Sequence, residues 1–152
     1  MKNPQIAAKV VHFGKVPFPD LKALLANSTA FLMPNIHVPG DMEGFGLVCL
    51  EASLSGTLVV ASATEGIIDA IKDKKNGILL PSSNKEAWKR IINELLEECS
   101  SFNEKKISYQ NYSRAHYSWD KMAGEYWDVF QELLNQDEES LSGVRQLKLS
   151  KA

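Results

Sequence analysis

Four short, largely apolar runs, at residues 10–13, 30–33, 58–61 and 78–80, are each followed by a segment with helical features. Too short for helices, such runs suit strands buried on both faces, and strands of that kind belong to a parallel sheet covered by its crossover helices. The predicted fold class is therefore α/β: a parallel sheet of about four strands, with helices on both faces. Ligands of open parallel sheets bind at the carboxyl ends of the strands. The candidate site accordingly lies in the connections that follow the runs.

The residues between the runs support the alternation. Gly14 closes the first run, and Leu21, Leu24 and Leu25 fall at helical spacing in 19–26. Pro34 stops the second run, and Pro39 with Gly40 marks 35–42 as a loop. A helix from Gly46 to Ser55 ends at Gly56, a residue suited to the left-handed position after a helix. Thr64 is a candidate cap for a helix over 67–71. Asn76-Gly77 reads as a tight turn ahead of the last run. Asn84 caps a helix through Glu98 whose apolar face is Ala87, Trp88, Ile91, Ile92, Leu95 and Leu96. A weaker helix spans 104–116. Ser118 caps a final one with Met122, Tyr126, Val129, Phe130 and Leu133 on one side. Residues 1–134 are expected to form one domain, and the polar stretch 135–152 a disordered tail.

Composition excludes several classes of function. At 152 residues with a formal net charge of −2 and both signs mixed, the chain has no basic stripe for nucleic acid. No run approaches the ~18 apolar residues that a membrane span requires, and no signal-peptide core follows Met1-Lys2-Asn3-Pro4. Cys49 falls in an apolar helix and Cys99 at a polar helix end, a pattern of a reducing cytoplasm rather than a disulfide framework. No Ser-His-Asp set, metal-ligand cluster or phosphate-binding Walker loop can be assembled. His12 and His116 read as structural, whereas His37, in the loop before the central motif, could reach a sugar. Trp88, Trp119 and Trp127 read as packing residues.

That central motif is Glu43-Gly44-Phe45-Gly46-Leu47-Val48-Cys49-Leu50-Glu51. Leu47, Val48, Cys49, Leu50, Ala52 and Leu54 make the helix apolar nearly all round, which is the pattern of a buried helix. Glu51 in such surroundings requires a cation or hydrogen-bond donors, and a ribose offers two hydroxyls at once. Glu43 precedes the helix, where the dipole favours negative charge. Gly44 and Gly46 leave backbone N–H groups open to an anion. A sugar diphosphate fits this layout, with phosphate at the helix start, sugar hydroxyls near Glu43 and ribose near Glu51. The plainer alternative is that Glu43 is a first-turn helix acid and Glu51 is satisfied locally, by a lysine or by exposure. Phe45 reads as a residue that shapes the loop.

Glu43-Gly44-Phe45-Gly46-Leu47 with Leu50-Glu51-Ala52 resembles the glutamate–seven residues–glutamate signature of group 1 (family 4) retaining glycosyltransferases, GT-B class. Phe13-Gly14-Lys15-Val16 is similar to that family's strand-glycine turn, and Phe31-Leu32-Met33-Pro34 to its strand before the signature. Ser55-Gly56-Thr57-Leu58-Val59-Val60-Ala61, Asn76-Gly77-Ile78-Leu79-Leu80 and the stretch from Ser118-Trp119 to Tyr126 resemble it as well. The resemblance covers residues 9 to 134 and implies a partial Rossmann-like sheet, an incomplete GT-B C-terminal, donor-binding domain. It implies that Glu43, the catalytic residue of the motif, contacts the donor sugar's hydroxyls. Gly44, Phe45, Gly46 and Leu47 would contact sugar and diphosphate, and Glu51 the ribose.

By the same resemblance, a hexosyl-type group passes from a nucleotide-diphosphate sugar with retention of configuration and without metal or cofactor. The setting would be cytoplasmic polysaccharide synthesis, with peripheral membrane association of the full enzyme. The family's domain opens with two further strand-helix units, which carry a Gly-Arg turn and a lysine that neutralise the diphosphate. This chain shows no counterpart of either, and Lys15 does not match them. Thr64-Glu65-Gly66 resembles a turn near the donor phosphates, with Glu65 where a small residue is usual. The chain is thus expected to be a glycosyltransferase fragment, inactive alone, partnered by the missing N-terminal half or by another copy of itself. Its first and second runs would pair directly, or another copy would cover the gap. A non-catalytic nucleotide-sugar-binding or assembly module, or an inactive fragment, is the alternative.

Overall fold

All five residues of the strand Leu58–Ser62 are buried, and the rest of the sheet is arranged around them. The computed structural model describes residues 8–40 and 44–149, with Cys99 and 136–149 as backbone only. Three parallel strands, β1 (Ala30–Met33), β2 (Leu58–Ser62) and β3 (Ile78–Leu80), lie in the order β1-β2-β3. Ala30 stands opposite Leu58 and Met33 opposite Ala61, while Val60 faces Ile78 and Ser62 faces Leu80. The helices are α1 (Phe18–Ala26), α2 (Leu47–Leu54), α3 (Ile67–Ala70), α4 (Lys85–Glu97), α5 (Asn103–His116) and α6 (Trp119–Leu149), with a 3₁₀ turn at Cys99–Phe102. Two units divide the chain, Met1–Ser113 and Arg114–Ala152; the sheet is in the first, and the second comprises the end of α5 and α6.

Alternation along β2 builds two apolar layers. Leu58 and Val60 pack with Trp88, Ile91 and Leu95 of α4 and with Phe102 and Tyr109. Val59 and Ala61 point to the other face, where α2 packs on β1 and β2 and Ile71 lies beside Val59. Asn84 caps α4 by accepting from the Ala87 N–H at 3.0 Å, and Ser118 Oγ accepts from the Lys121 N–H at 3.2 Å at the start of α6. Gly56, with φ 84°, takes the left-handed position after α2. At the outer edge, Asp73 Oδ1 accepts from the Leu79 N–H at 2.9 Å. That bond occupies a β3 donor otherwise open to another strand.

A buried polar network fastens the two layers. Asn76 is fully buried; its side chain accepts from the Lys72 N–H at 2.7 Å and donates to the Ala70 carbonyl at 2.9 Å. Its own carbonyl accepts from Ser53 Oγ of α2 at 3.1 Å, and that hydroxyl meets Ser113 Oγ of α5 at 2.8 Å. Asn76 therefore does more than turn the chain, and the left-handed backbone nearby falls at Lys74 rather than at Gly77.

Several expectations need correction. Residues 10–13 form no strand, and among the described residues β1 pairs with β2 alone. Val11 is 72% and Phe13 59% exposed. A four-residue run becomes a strand only by pairing, and no strand lies beside this one to pair with it. Direct pairing of the first two runs is thus not the arrangement. The polar stretch 135–149 continues α6 to Leu149; Glu, Gln, Leu, Lys and Arg favour helix locally, and Gly143 is the only strong breaker there. Trp88 is a core residue as expected, but Trp119 and Trp127 are exposed on α6.

Replacement of Asn76 by alanine should lower stability by about 2–3 kcal/mol, since it leaves buried backbone groups unpaired. Asn84→Ala, which removes only a helix cap, should lose about 1 kcal/mol. Denaturant titration of both variants checks the ranking, and equal losses would refute the role given to Asn76.

Candidate functional site

Two connections leave the carboxyl ends of adjacent strands and pack against each other, the one from β1 to α2 and the one from β2 to α3. Their contact is a backbone one. A Cβ added to Gly66 would stand 1.6 Å from the Gly44 carbonyl oxygen and 3.1 Å from the Phe45 Cα. Only a residue without a side chain permits that approach. Gly46, the N-cap of α2, is left-handed at φ 72°, and a Cβ there would stand 3.4 Å from Ile67 Cγ1. The turn at 44–46 is thereby seated on the start of α3.

This seating leaves the start of α2 open. Among the described residues no side chain caps it, and no acidic residue occupies its first turn. The Cys49 N–H bonds to the Gly46 carbonyl at 2.9 Å. The amides ahead of it have no acceptor within the helix. Amides without an acceptor in the helix, and the helix dipole, together favour an anion at this point.

A side-chain bond joins the same two connections. His37 Nδ1 donates to Glu65 Oε1 at 2.8 Å, with the His37 side chain 64% and the Glu65 side chain 19% exposed. Glu65 adopts φ 44°, a left-handed conformation that is uncommon for a residue with a side chain. Nearby, Ser62 Oγ and Thr64 Oγ1 are buried without a hydrogen-bond partner among the described residues. Thr64 therefore does not cap α3 with its side chain; Gly66 holds the N-cap position.

Of the predicted site residues, the structure brings Gly44, Phe45, Gly46 and Leu47 to this junction, with Phe45 and Leu47 exposed. Glu43 lies outside the described residues. Glu51 is on α2 but is exposed, which corrects the premise that it sits in a buried helix. Cys49, Leu50, Ala52 and Ser53 form the buried side of α2, whereas Leu47 and Val48 on the opposite side are 65% and 45% exposed. α2 is covered from one side only, so Glu51 needs no partner to be tolerated there. Sequence reasoning considered His37 and Glu65 separately and missed their bond. The signal for it, a non-glycine residue in a left-handed turn, is visible only in the backbone.

A separate cavity of about 770 Å³, lined by residues such as Asp73, Arg90, Glu94, Lys105 and Tyr109, contains none of these residues. Burial, with the Asp73 carboxylate as the lesser cause, raises the Tyr109 phenol above its ordinary 10.0. Among its charged groups, Asp73 accepts from the Leu79 amide, Lys105 lies over the Phe102 ring, and Arg90 is 3.9 Å from Glu94.

The close approach at Gly66 is testable by itself. Gly66→Ala should destabilise the fold by about 2 kcal/mol or more, because backbone must move to admit the methyl group. Gly44→Ala, where an added Cβ meets nothing within 4 Å, should change it by about 1 kcal/mol at most. Comparable melting temperatures for the two variants would rule out the packing described.

Comparison with known proteins agrees with this arrangement. A family model described as glycosyl transferases group 1 matches residues 1–115. A D-inositol 3-phosphate glycosyltransferase of Salinispora tropica is 34% identical over 107 residues, 70% of this chain and 22% of that protein. An uncharacterized glycosyltransferase of Methanocaldococcus jannaschii is 34% identical over 127 residues, 80% of this chain and 30% of that protein. The chain thus spans less than a third of the length of these curated relatives. Among solved structures, a sucrose-phosphate synthase from Thermosynechococcus elongatus superposes with a TM-score of 0.72 at 21% identity, covering 87% of this chain and 32% of that one. Anabaena HepE, solved with UDP-glucose, gives a TM-score of 0.58 at 21% identity over 72% of this chain and 29% of its own. These neighbours are GT-B enzymes, and the three-stranded sheet with its helices corresponds to part of a GT-B domain. With a family match over most of its length and this fold, the chain belongs to the group 1 glycosyl transferases.

Proposed function

We propose that this chain is the donor-binding part of a retaining glycosyltransferase, which moves a hexosyl-type group from a nucleotide-diphosphate sugar to an acceptor. The observation that carries the reading is the start of α2, uncapped by any described side chain and without a first-turn acid, held by the Gly44–Gly66 approach. Its amides are suited to the diphosphate. Glu51 lies one helical turn beyond Leu47 on the exposed side of α2, where it can accept from ribose hydroxyls without first losing a partner. Glu43, directly before the turn in sequence, is assigned to the donor sugar's hydroxyls. Support for a nucleotide-sugar ligand comes from the solved neighbour HepE, which holds UDP-glucose.

On this reading the leaving diphosphate gathers charge as the glycosidic bond breaks, and the α2 amides stabilise that charge. The departing phosphate oxygen takes the acceptor's proton on the same face, which retains configuration. The acceptor would be supplied by the N-terminal half of a transferase or by another copy of this chain. Val11, Phe13 and Phe18 are exposed apolar residues that such a partner would cover. No helix among the described residues is long and apolar enough to cross a membrane. Peripheral association, a cytoplasmic setting and a role in polysaccharide synthesis belong to the same proposal.

Titration calorimetry of the chain against UDP-, GDP- and ADP-sugars tests the reading. One of the three should bind, and Glu51→Gln should weaken it by about 1.5–3 kcal/mol, the range for hydrogen bonds to a charged group. Undiminished binding by that variant would remove the ribose assignment.

A further inference from the structure

The cavity of about 770 Å³ beside β3, the outer strand of the sheet, is walled by α4 and α5. Its size falls within the range of about 300–1,000 Å³ that holds small ligands. β3 lines it with main chain as well as side chains. The Leu80 carbonyl accepts from the Ala63 N–H at 2.8 Å, so Leu80 pairs with β2 and Leu79 turns its N–H and carbonyl outward. Asp73 takes that N–H at 2.9 Å, which leaves the carbonyl as an acceptor. Tyr109 is 7% exposed and lines the same cavity, and no hydrogen bond engages its hydroxyl among the described residues. Buried hydroxyls ordinarily have a partner. Burial keeps this one protonated, so it is a neutral donor for an occupant of the cavity.

The charges define the chemistry of that occupant. Three carboxylates, of Asp73, Glu94 and Glu104, line the cavity together with three cations, Lys74, Arg90 and Lys105. An anion would meet the acids and an organic cation the bases, each against a like charge. A polyol meets neither obstacle, because each of its hydroxyls both donates and accepts. Between the charged groups, Ile78, Leu80 and Ile91 offer apolar surface suited to the C–H face of a sugar ring. An extended peptide is the competing occupant of a sheet edge. Asp73 opposes it by holding the Leu79 N–H that an added strand would need.

We propose that this cavity is a binding site for a neutral oligosaccharide, held through the Tyr109 hydroxyl, the Leu79 carbonyl and the mixed carboxylates and cations of its lining. It shares no residue with the start of α2 and takes a ligand without phosphate, so it does not rest on the donor reading. A saccharide held here is tethered to the transferase at raised effective concentration.

Amide NMR of the isotope-labelled chain, titrated with maltotetraose, cellotetraose and mannotetraose, tests the site. At least one of the three should shift the Leu79, Ser108 and Tyr109 amides saturably and leave those at 44–47 unmoved. Tyr109→Phe, which keeps the ring, and Glu104→Gln, at an exposed position, should each weaken binding about two- to tenfold, the scale of one hydrogen bond. If Tyr109→Phe unfolds, Glu104→Gln decides alone. No saturable shift with any tetrasaccharide overturns the proposal, and so does native affinity in the folded variants. Shifts confined to 44–47 refute it by placing the sugar at the start of α2, as would displacement of the tetrasaccharide by a UDP-sugar. A hexapeptide of alternating threonine and valine should leave the Leu79 amide unmoved. Shifts from that peptide, with none from the sugars, would assign the edge to a peptide strand instead.

Discussion

The burial of β2 on both faces is the constraint from which the rest of the structure follows. A strand with no exposed residue requires an apolar layer above and below, and α4 and α5 supply one, α2 and α3 the other. Parallel pairing on both sides then sends each connection back across a face of the sheet. The carboxyl ends of β1 and β2 are thereby neighbours, and the chain leaves both at the same rim. The place where those two connections touch is the place where α2 begins, so site location is a consequence of sheet topology rather than of any one side chain.

At that rim the contact is made by backbone. Gly66 admits the Gly44 carbonyl because it has no Cβ, and Gly46 reverses the chain into α2 with a left-handed conformation. The result is a helix start whose amides are presented by main chain held on both sides, without a capping side chain among the described residues. Preorganised amides of this kind stabilise developing charge without rearranging during the reaction. The buried Asn76–Ser53–Ser113 network secures α2 from below, linking its second turn to the β3 side of the sheet. Rim and core therefore fix the same short helix from different directions.

The parts legible in the sequence were those governed by local rules. Short apolar runs located β1, β2 and β3, and Asn84, Ser118 and Gly56 marked helix ends as side-chain and backbone chemistry requires. What failed depended on neighbours distant in sequence or on one-sided cover. Residues 10–13 have strand composition, but strand formation is a pairing property. α2 is apolar nearly all round, and periodicity does not reveal which side of such a helix is left open; Glu51 looked buried for that reason. The His37–Glu65 bond joins residues on two different connections, and nothing local in either announces the other. In the case of Asn76, turn propensity gave the right position and the wrong reason, since its side chain is consumed by buried backbone groups.

The exposure of Glu51 alters the energetic logic of the motif. A buried carboxylate would have needed the ligand to remain stable in the fold, binding stability and occupancy together. An exposed one is solvated in the empty protein; on the proposed reading it would exchange water for ribose hydroxyls on binding and contribute to affinity alone. The fold can then hold an empty, open site, with the sheet and the Gly66 contact bearing the structural load.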